Sequence, residues 1–369
     1  MKYYIIAGEA SGDLHGSKLI EALKEKDAKA QVRFWGGDLM QNAGGDLVKH
    51  YKSLAFMGFW EVFVNLRTIL NNISYCKRDI LDFQPDAIIY IDYPGFNLRI
   101  AKWAKKRGFI NHFYISPQVW AWKESRVQLM KKILDKLYVI LPFEKDFFEK
   151  KHQFKVEFVG HPLLDTLSIR KKSEDFILQH QLSEKDDIIA LLPGSRKQEI
   201  KKMLPRFLKI SEYFPQFQFV IAGAPGIDLD WYQKLIGDKK IKIILNQTYD
   251  LLNYSKVALV SSGTATLETA LLNVPQIVCY RSSFITYQIA KRLVKLKYIS
   301  LVNLILDREV VKELIQEKFN VREVKKQLEY TLSESGQNQL KEDYKELRKA
   351  LGGGGASKKT AQLIVDSLK

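Results

Sequence analysis

Four short stretches of this chain gather glycines, small hydroxyl residues and acids where a ligand could be held. The first is Ala7-Gly8-Glu9-Ala10-Ser11-Gly12-Asp13-Leu14-His15-Gly16. It follows an apolar run and opens a helical pattern. Backbone N–H groups in such a turn can receive an anion or a sugar hydroxyl. Gly8, Gly12 and Gly16 are spaced by four, so this is not a dinucleotide fingerprint. Glu9 and Asp13 would repel a pyrophosphate. The loop therefore reads as a polyol contact or a general base, with a capped turn as the plain alternative. The second stretch is Ile91-Asp92-Tyr93-Pro94-Gly95-Phe96-Asn97. Asp92 ends an apolar strand, where partial desolvation raises a carboxyl and suits it to accept a proton. A helix N-cap is again the alternative.

The third stretch is Leu191-Leu192-Pro193-Gly194-Ser195-Arg196. Gly194 permits close backbone approach, Ser195 offers a hydrogen bond, and Arg196 can grip phosphate with two parallel bonds. The fourth is Ser261-Ser262-Gly263-Thr264-Ala265-Thr266-Leu267-Glu268. A helix beginning at Gly263 and Thr264 presents free amides and a positive dipole end to an anion. Glu268, one turn in, is placed to accept bonds from a ribose diol. Ordinary turns and caps would use the same residue types.

A fifth stretch, Leu54–Leu70, is apolar apart from Glu61, Asn65 and Arg67. It is too short and too interrupted to span a bilayer. A buried helix is one reading. An interfacial patch of Phe56, Met57, Phe59, Trp60, Phe63 and Leu66 beside the basic run downstream is the other. The sequence contains no P-loop, CxxC or HExxH motif. Asp228-Leu229-Asp230 matches a metal-binding DxD by letters only, and no metal site is expected.

These loops need elements to hold them. Candidate strands are Tyr3–Ala7, Val32–Trp35, Ala87–Ile91, His112–Ile115, Leu137–Leu141 and Glu157–Val159, then Ile188–Leu192, Phe217–Ala222, Ile241–Leu245, Val257–Val260 and Gln276–Tyr280. Several are unbroken apolar runs, as in strands covered on both faces of a parallel sheet. Crossover helices such as Gly16–Lys26 and Asn97–Arg107 fit between them, giving doubly wound α/β sheets. The pattern pauses at about 166–187. The domains read as 1–166 plus a returning C-terminal segment 345–369, and 167–344. Gly352–Gly355 ends one helix and allows a sharp reversal before a last helix, Ser357–Leu368.

The chain has 369 residues, 46% of them hydrophobic and 12% aromatic, enough for two cores. Disorder is excluded. Two cysteines, Cys76 and Cys279, fit a reducing compartment. The start lacks the long apolar stretch of a signal peptide, so a cytoplasmic location is expected. The net charge of +16 calls for an anionic partner. Residues 101–155 carry thirteen basic and five acidic residues, and 281–300 carry five basic and none acidic.

The motifs in order resemble one family. They are Gly8-Glu9-Ala10-Ser11-Gly12-Asp13, Tyr114-Ile115-Ser116-Pro117-Gln118-Val119-Trp120-Ala121-Trp122, Leu141-Pro142-Phe143-Glu144, Gly160-His161-Pro162, Leu191–Arg196, Ser262–Glu268, and Asn303 with Arg308–Gln316. They are similar to those of lipid-A-disaccharide synthases. The resemblance implies a GT-B glycosyltransferase with two Rossmann-like domains facing across a cleft. It implies UDP-2,3-diacylglucosamine as donor and 2,3-diacylglucosamine 1-phosphate (lipid X) as acceptor. The products would be the β-1,6 disaccharide 1-phosphate and UDP, formed with inversion, without metal or cofactor. The protein would sit peripherally on the anionic inner membrane.

By the same resemblance Asp92 matches the essential acid and is the candidate base for the acceptor hydroxyl. Glu9 is the competing base or a sugar-orienting group. Arg196 matches the diphosphate-binding arginine, with Ser195, Ser262, Gly263 and Thr264 around it. Glu268 matches the ribose-binding acid and Asn303 a nucleotide-side polar residue. The stretch around Phe56–Leu70 matches the region that meets acyl chains. Many relatives have a second acid where this chain has Gly95, which leaves Asp92 working without it. Monomer and homodimer both stay open. The rival readings are another GT-B member, such as a UDP-sugar 2-epimerase or another glycolipid transferase, and a basic nucleic-acid-binding protein. An epimerase has no need of the apolar patch. A nucleic-acid binder would show exposed stacking aromatics among its basic residues, and no recognition motif is present.

Overall fold

The computed structural model describes residues 1–53, 66–168, 173–283, 287–288 and 296–369. The chain forms two compact units, Met1–Asp165 with Leu351–Lys369, and Thr166–Ala350. Each holds one parallel sheet. The first sheet contains β1 (Lys2–Ala7), β2 (Gln31–Gly36), β3 (Asp46–His50), β4 (Ala87–Ile91), β5 (Asn111–Tyr114), β6 (Lys136–Val139) and β7 (Glu157–Phe158). Its order is β3-β2-β1-β4-β5-β6-β7. The second contains β8 (Ile188–Leu192), β9 (Gln218–Gly223), β10 (Lys242–Leu245), β11 (Ser255–Ser261), β12 (Gln276–Tyr280) and β13 (Lys312–Ile315), in the order β10-β9-β8-β11-β12-β13.

The central strands are the apolar runs of the sequence. Residues of β4 and β8 are buried throughout, because helices cover both faces of the sheet. Two strands escape the sequence pattern, β3 and β13. Both are sheet edges, only partly buried. Their short, charge-interrupted segments, such as Asp46-Leu47-Val48-Lys49-His50, carry no continuous apolar run to announce them.

In both sheets the strand order reverses direction beside the first strand of the unit. The reversals lie between β1 and β4, and between β8 and β11. At such a point the following loops diverge to opposite faces and leave a crevice at the carboxyl ends of the strands. Ala7 pairs with Ile91 at the first reversal, and Val260 with Leu192 at the second. All four glycine-bearing loops of the sequence begin within a residue or two of those pairs.

The second crossing between units falls at Leu351, not at 345. The helix Glu334–Ala350 packs within the second unit, and Tyr344, fully buried there, meets Gln276. The chain then reverses through Gly352–Gly355, and the helix Ala356–Ser367 lies against the helix Ala10–Lys26 of the first unit. Asp165 fastens this return by accepting the amides of Gly355 and Ser357, the latter at 3.1 Å. The Leu351 carbonyl accepts the amide of His161 at 3.1 Å. Among the described residues no helix is long and apolar enough to cross a membrane.

Candidate active site

In the first unit Asp92 stands one residue beyond β4, and Glu9 two residues beyond β1, at the switch point. Asn97 fixes this corner. It is fully buried, and its Nδ2 donates to the carbonyls of Ile6, Ile91 and Asp92, the last at 2.8 Å. One side chain therefore ties the ends of both strands to the residue that carries the acid. The Asp92 amide donates to the Tyr114 carbonyl at 3.3 Å, which adds β5 to the support.

The backbone here is strained. Asp92, Tyr93 and Ile115 have φ of 44°, 47° and 66°. Non-glycine residues in this region cost on the order of 1–3 kcal/mol each, and a β-branched residue is rarest there. Strain concentrated at the ends of β4 and β5 is what a loop shaped for chemistry carries. The Tyr93 ring closes over the first loop so tightly that a Cβ on Gly8 would come to 2.3 Å from it. That contact explains a glycine at position 8 beyond any turn requirement.

Burial pushes the Asp92 carboxyl up to about 6, and the charge of Glu9 adds to the effect. Glu9 itself is exposed. The two acids thus have different surroundings, one desolvated and one wet. Asp13, the second acid of the first loop, is used otherwise. It is buried and accepts the amides of Gly37, Leu39 and Met40 at 2.7, 3.2 and 3.1 Å, capping the helix Asp38–Asn42. Gly95 is exposed and has open space where a Cβ would stand, so nothing in the packing demands glycine at this position.

A further acid belongs to this corner although the sequence reading gave it no role. Glu144 is 1% exposed. One of its oxygens accepts the amides of Ile140 and Leu141, and the other accepts the Trp120 indole N–H at 3.1 Å. Burial pushes its carboxyl up to about 7, and the Asp92 charge contributes. Glu144 joins two motifs that looked separate in the sequence, Leu141–Glu144 and the aromatic loop around Trp120.

In the second unit the loop after β8 and the end of β11 share one carboxylate. Glu199 accepts the Ser195 amide at 3.1 Å and the Ser261 hydroxyl at 3.0 Å. Gly194 has a φ of 119°, and a Cβ there would lie 2.3 Å from a Glu199 oxygen. The glycine is needed both for its backbone angle and for this approach. Ser195 and Arg196 stay exposed, Arg196 as the N-cap of the helix Lys197–Ser211. An exposed guanidinium at a helix N-terminus is suited to a phosphate.

Gly263 and Thr264 are exposed at the start of the helix Thr264–Leu271, whose first amides lack intrahelical partners. Ser262 donates its hydroxyl to the Ile299 carbonyl at 3.0 Å, so its side chain braces the loop. Glu268 is partly buried and raised by that burial, while a hydrogen bond from Tyr249 opposes the shift. Asn303 is not open to a ligand. It is fully buried, and its amide bonds Val310, Val311 and Glu313 at 2.8–2.9 Å. Glu313 in turn accepts the amides of Ile299 and Ser300, each at 2.9 Å. Asn303 therefore positions the segment that Ser262 leans on.

Phe56, Met57, Phe59, Trp60 and Phe63 lie outside the described residues, and of Leu66 only its place at the start of the helix Leu66–Phe83 is described. Asp228 caps the helix Leu229–Ile236. Among the described residues no group of three or more acids, histidines and cysteines could hold a metal ion. Glu144, Glu199 and Glu313 are the participants that sequence reasoning missed. Glu144 and Glu199 carried a local signal, an acid at the third position of a helix, and Glu313 carried none.

Comparison with known proteins gives a consistent result. A family model described as lipid-A-disaccharide synthetase matches residues 3–366. The lipid-A-disaccharide synthase of Syntrophus aciditrophicus (strain SB) is 36% identical over 373 residues, covering 99% of this chain and 97% of that one. The enzyme of the same name from Trichlorobacter lovleyi is 34% identical, again over 99% and 97% of the two chains. Among solved structures, the UDP-GlcNAc 2-epimerase of Neisseria meningitidis bound to UDP-GlcNAc aligns with a TM-score of 0.68 at 16% identity, over 100% of this chain and 99% of that one. The glycotransferase of kitacinnamycin aligns with a TM-score of 0.66 at 12% identity, over 100% and 99%. Identities this low speak for the shared GT-B fold only.

Proposed function

Since the chain belongs to the lipid-A-disaccharide synthase family, it is a glycosyltransferase of lipid A synthesis, and we propose that Asp92 serves as its base. The donor is UDP-2,3-diacylglucosamine and the acceptor lipid X. The acceptor's 6-hydroxyl oxygen attacks the anomeric carbon of the donor from the face opposite UDP. As that bond forms, the bond from the anomeric carbon to the diphosphate oxygen breaks. The hydroxyl proton passes to the Asp92 carboxylate, and UDP departs with the electron pair. Displacement from the opposite face inverts the configuration and gives the β-1,6 linkage.

The observation that carries this reading is Asp92 itself: a carboxyl at the switch point, raised to about 6. A base of that strength is still ionised at neutral pH and accepts a proton more readily than an exposed aspartate would. Glu9 raises it by charge and is placed to orient the sugar. On the donor side the exposed Arg196 guanidinium and the amides at Gly263 and Thr264 offset the charge that grows on UDP. Ser195 and Glu268 supply hydrogen bonds to the nucleotide. Ser262 and Asn303 act behind them, as braces.

We also assign the basic excess of residues 101–155 to attraction toward an anionic membrane surface. Both substrates are acylated anions, and basic residues near a bilayer each add favourable energy there. The function is tested by supplying the protein with UDP-2,3-diacylglucosamine and lipid X and following UDP. Release that requires both lipids is expected. Release with the donor alone, or interconversion of the donor to an epimer, would overturn the assignment.

A further inference from the structure

The loop between β5 and the helix Arg126–Ile133 holds an arrangement that the reaction as written does not use. Trp122 is 49% exposed, unusual for so large an apolar side chain. The Lys123 ammonium stands 4.3 Å from the centre of its ring, and the Arg126 guanidinium 5.6 Å from it. The single acid of the loop, Glu124, faces away. It pairs with Lys151 at 2.7 Å and His152 at 3.0 Å, and the Lys151 bond holds its carboxyl below the usual range. Neither Lys123 nor Arg126 has a carboxylate within ion-pair distance among the described residues. Two unpaired cations over one exposed indole repel each other, and an anion beside them removes that cost.

The loop is held at the working edge of the sheet. Trp120, two residues earlier, donates to Glu144, and Glu144 feels the charge of Asp92. A group bound at Trp122 thus lies on the same segment that is anchored beside the candidate base. The cations stand over the half-exposed indole, and the rest of the ring is flat apolar surface of the kind a pyranose ring covers.

We propose that Lys123 and Arg126 bind the phosphomonoester of the acceptor glycolipid while Trp122 packs against its sugar ring. The proposal rests on the acceptor reading given above. It makes this loop the element that distinguishes a phosphorylated acceptor from one bearing a free anomeric hydroxyl.

The test compares lipid X with its dephosphorylated form as acceptor. The wild-type enzyme, Lys123→Ala, Arg126→Ala and Lys123→Glu are measured at saturating donor, each variant checked for a wild-type thermal melt. The wild type is expected to prefer the phosphorylated acceptor. Each alanine variant should raise its KM on the order of tenfold, as the loss of one charge-assisted contact implies. The preference should shrink by the same factor, the donor KM should stay at its wild-type value, and Lys123→Glu should lose more than Lys123→Ala. Lys123→Gln and Arg126→Gln replace any variant that melts early. Wild-type discrimination in the variants overturns the proposal. So does intact discrimination combined with weaker binding to vesicles of phosphatidylglycerol and phosphatidylcholine, which would assign the cations to the lipid surface. A wild-type protein that forms no disaccharide with either acceptor refutes the functional reading itself, a separate outcome.

Discussion

Glu199 accepts the Ser261 hydroxyl at 3.0 Å across the switch point of the second sheet. The same carboxylate takes the Ser195 amide at 3.1 Å, so one side chain sets the spacing of the two loops proposed to hold UDP. Glu199→Ala is expected to weaken UDP binding on the order of tenfold, through loop displacement and not through loss of a ligand contact. It should also cost about 1–2 kcal/mol of stability, because two donors lose their acceptor. Calorimetric UDP titration and denaturant unfolding measure the two effects. Unchanged UDP affinity would show that the loops keep their places without it.

Arg196 has the opposite profile. It is exposed and makes no ion pair among the described residues, so Arg196→Ala should leave stability within about 0.5 kcal/mol. UDP affinity should fall on the order of tenfold or more, as the loss of charged hydrogen bonds implies. A calorimetric affinity equal to wild type would remove this residue from the diphosphate site.

Asp92→Asn keeps the shape of the side chain and removes its basicity. Turnover should drop by about 10²–10⁴, the range general-base groups contribute, while UDP affinity is retained. A rate near that of the wild type in a radiolabelled-substrate assay would displace Asp92 from the role of base.

The acid limb of the pH–rate profile follows from the same carboxyl. Asp92 works as a base only when ionised, so kcat/KM should fall as pH drops through about 6. Burial is the larger cause of this position and the Glu9 charge the second. Glu9→Gln should therefore move the limb to lower pH. A limb that stays in place would mean that the charge at Glu9 does not reach Asp92.

Acid stability has a definite sign. Burial holds His15 and His112 down to about 4 and His161 down to about 3. Below about pH 6.5 the unfolded chain protonates these histidines and the native chain does not, so stability is lost as pH falls. Asp92, Glu144 and Glu268 act in the other direction, since their raised carboxyls take up protons in the native state first. Three histidines thus oppose three carboxyls, and the slope near pH 5 is the difference between the two sets. Glu144→Gln removes one opposing group and should therefore make stability fall more steeply as pH drops. Urea unfolding at several pH values reads the slopes of both proteins, and a slope unchanged in Glu144→Gln would refute the raised carboxyl of Glu144.

Much of this protein is written locally. The alternation of apolar runs with helical stretches marked eleven of the thirteen strands among the described residues, most plainly the central ones, which have no polar face. The motifs at Gly8–Asp13, Ile91–Asn97, Leu191–Arg196 and Ser261–Glu268 stood at strand ends, where loops of doubly wound folds meet ligands. The family too was visible from the order of those motifs. The edge strands β3 and β13 were not, since the charged residues within Asp46–His50 and Lys312–Ile315 leave no apolar run to mark them.

What the sequence determined by itself is the kind of fold, the family and the loops proposed to do the work. What only the tertiary structure decided is which polar side chains are committed to holding the fold. Asp13 and Asn303 have the right chemistry and are consumed by capping and bracing, while Asp92 is desolvated and left at the crevice. Glu144 and Glu199 gain their partners from segments 24 and 62 residues away, Trp120 and Ser261. The reason is physical. Periodicity and turn chemistry depend on neighbours in sequence, but the burial and the hydrogen-bond partners of a carboxylate depend on strand order, which pairs β1 with β4 across some eighty residues.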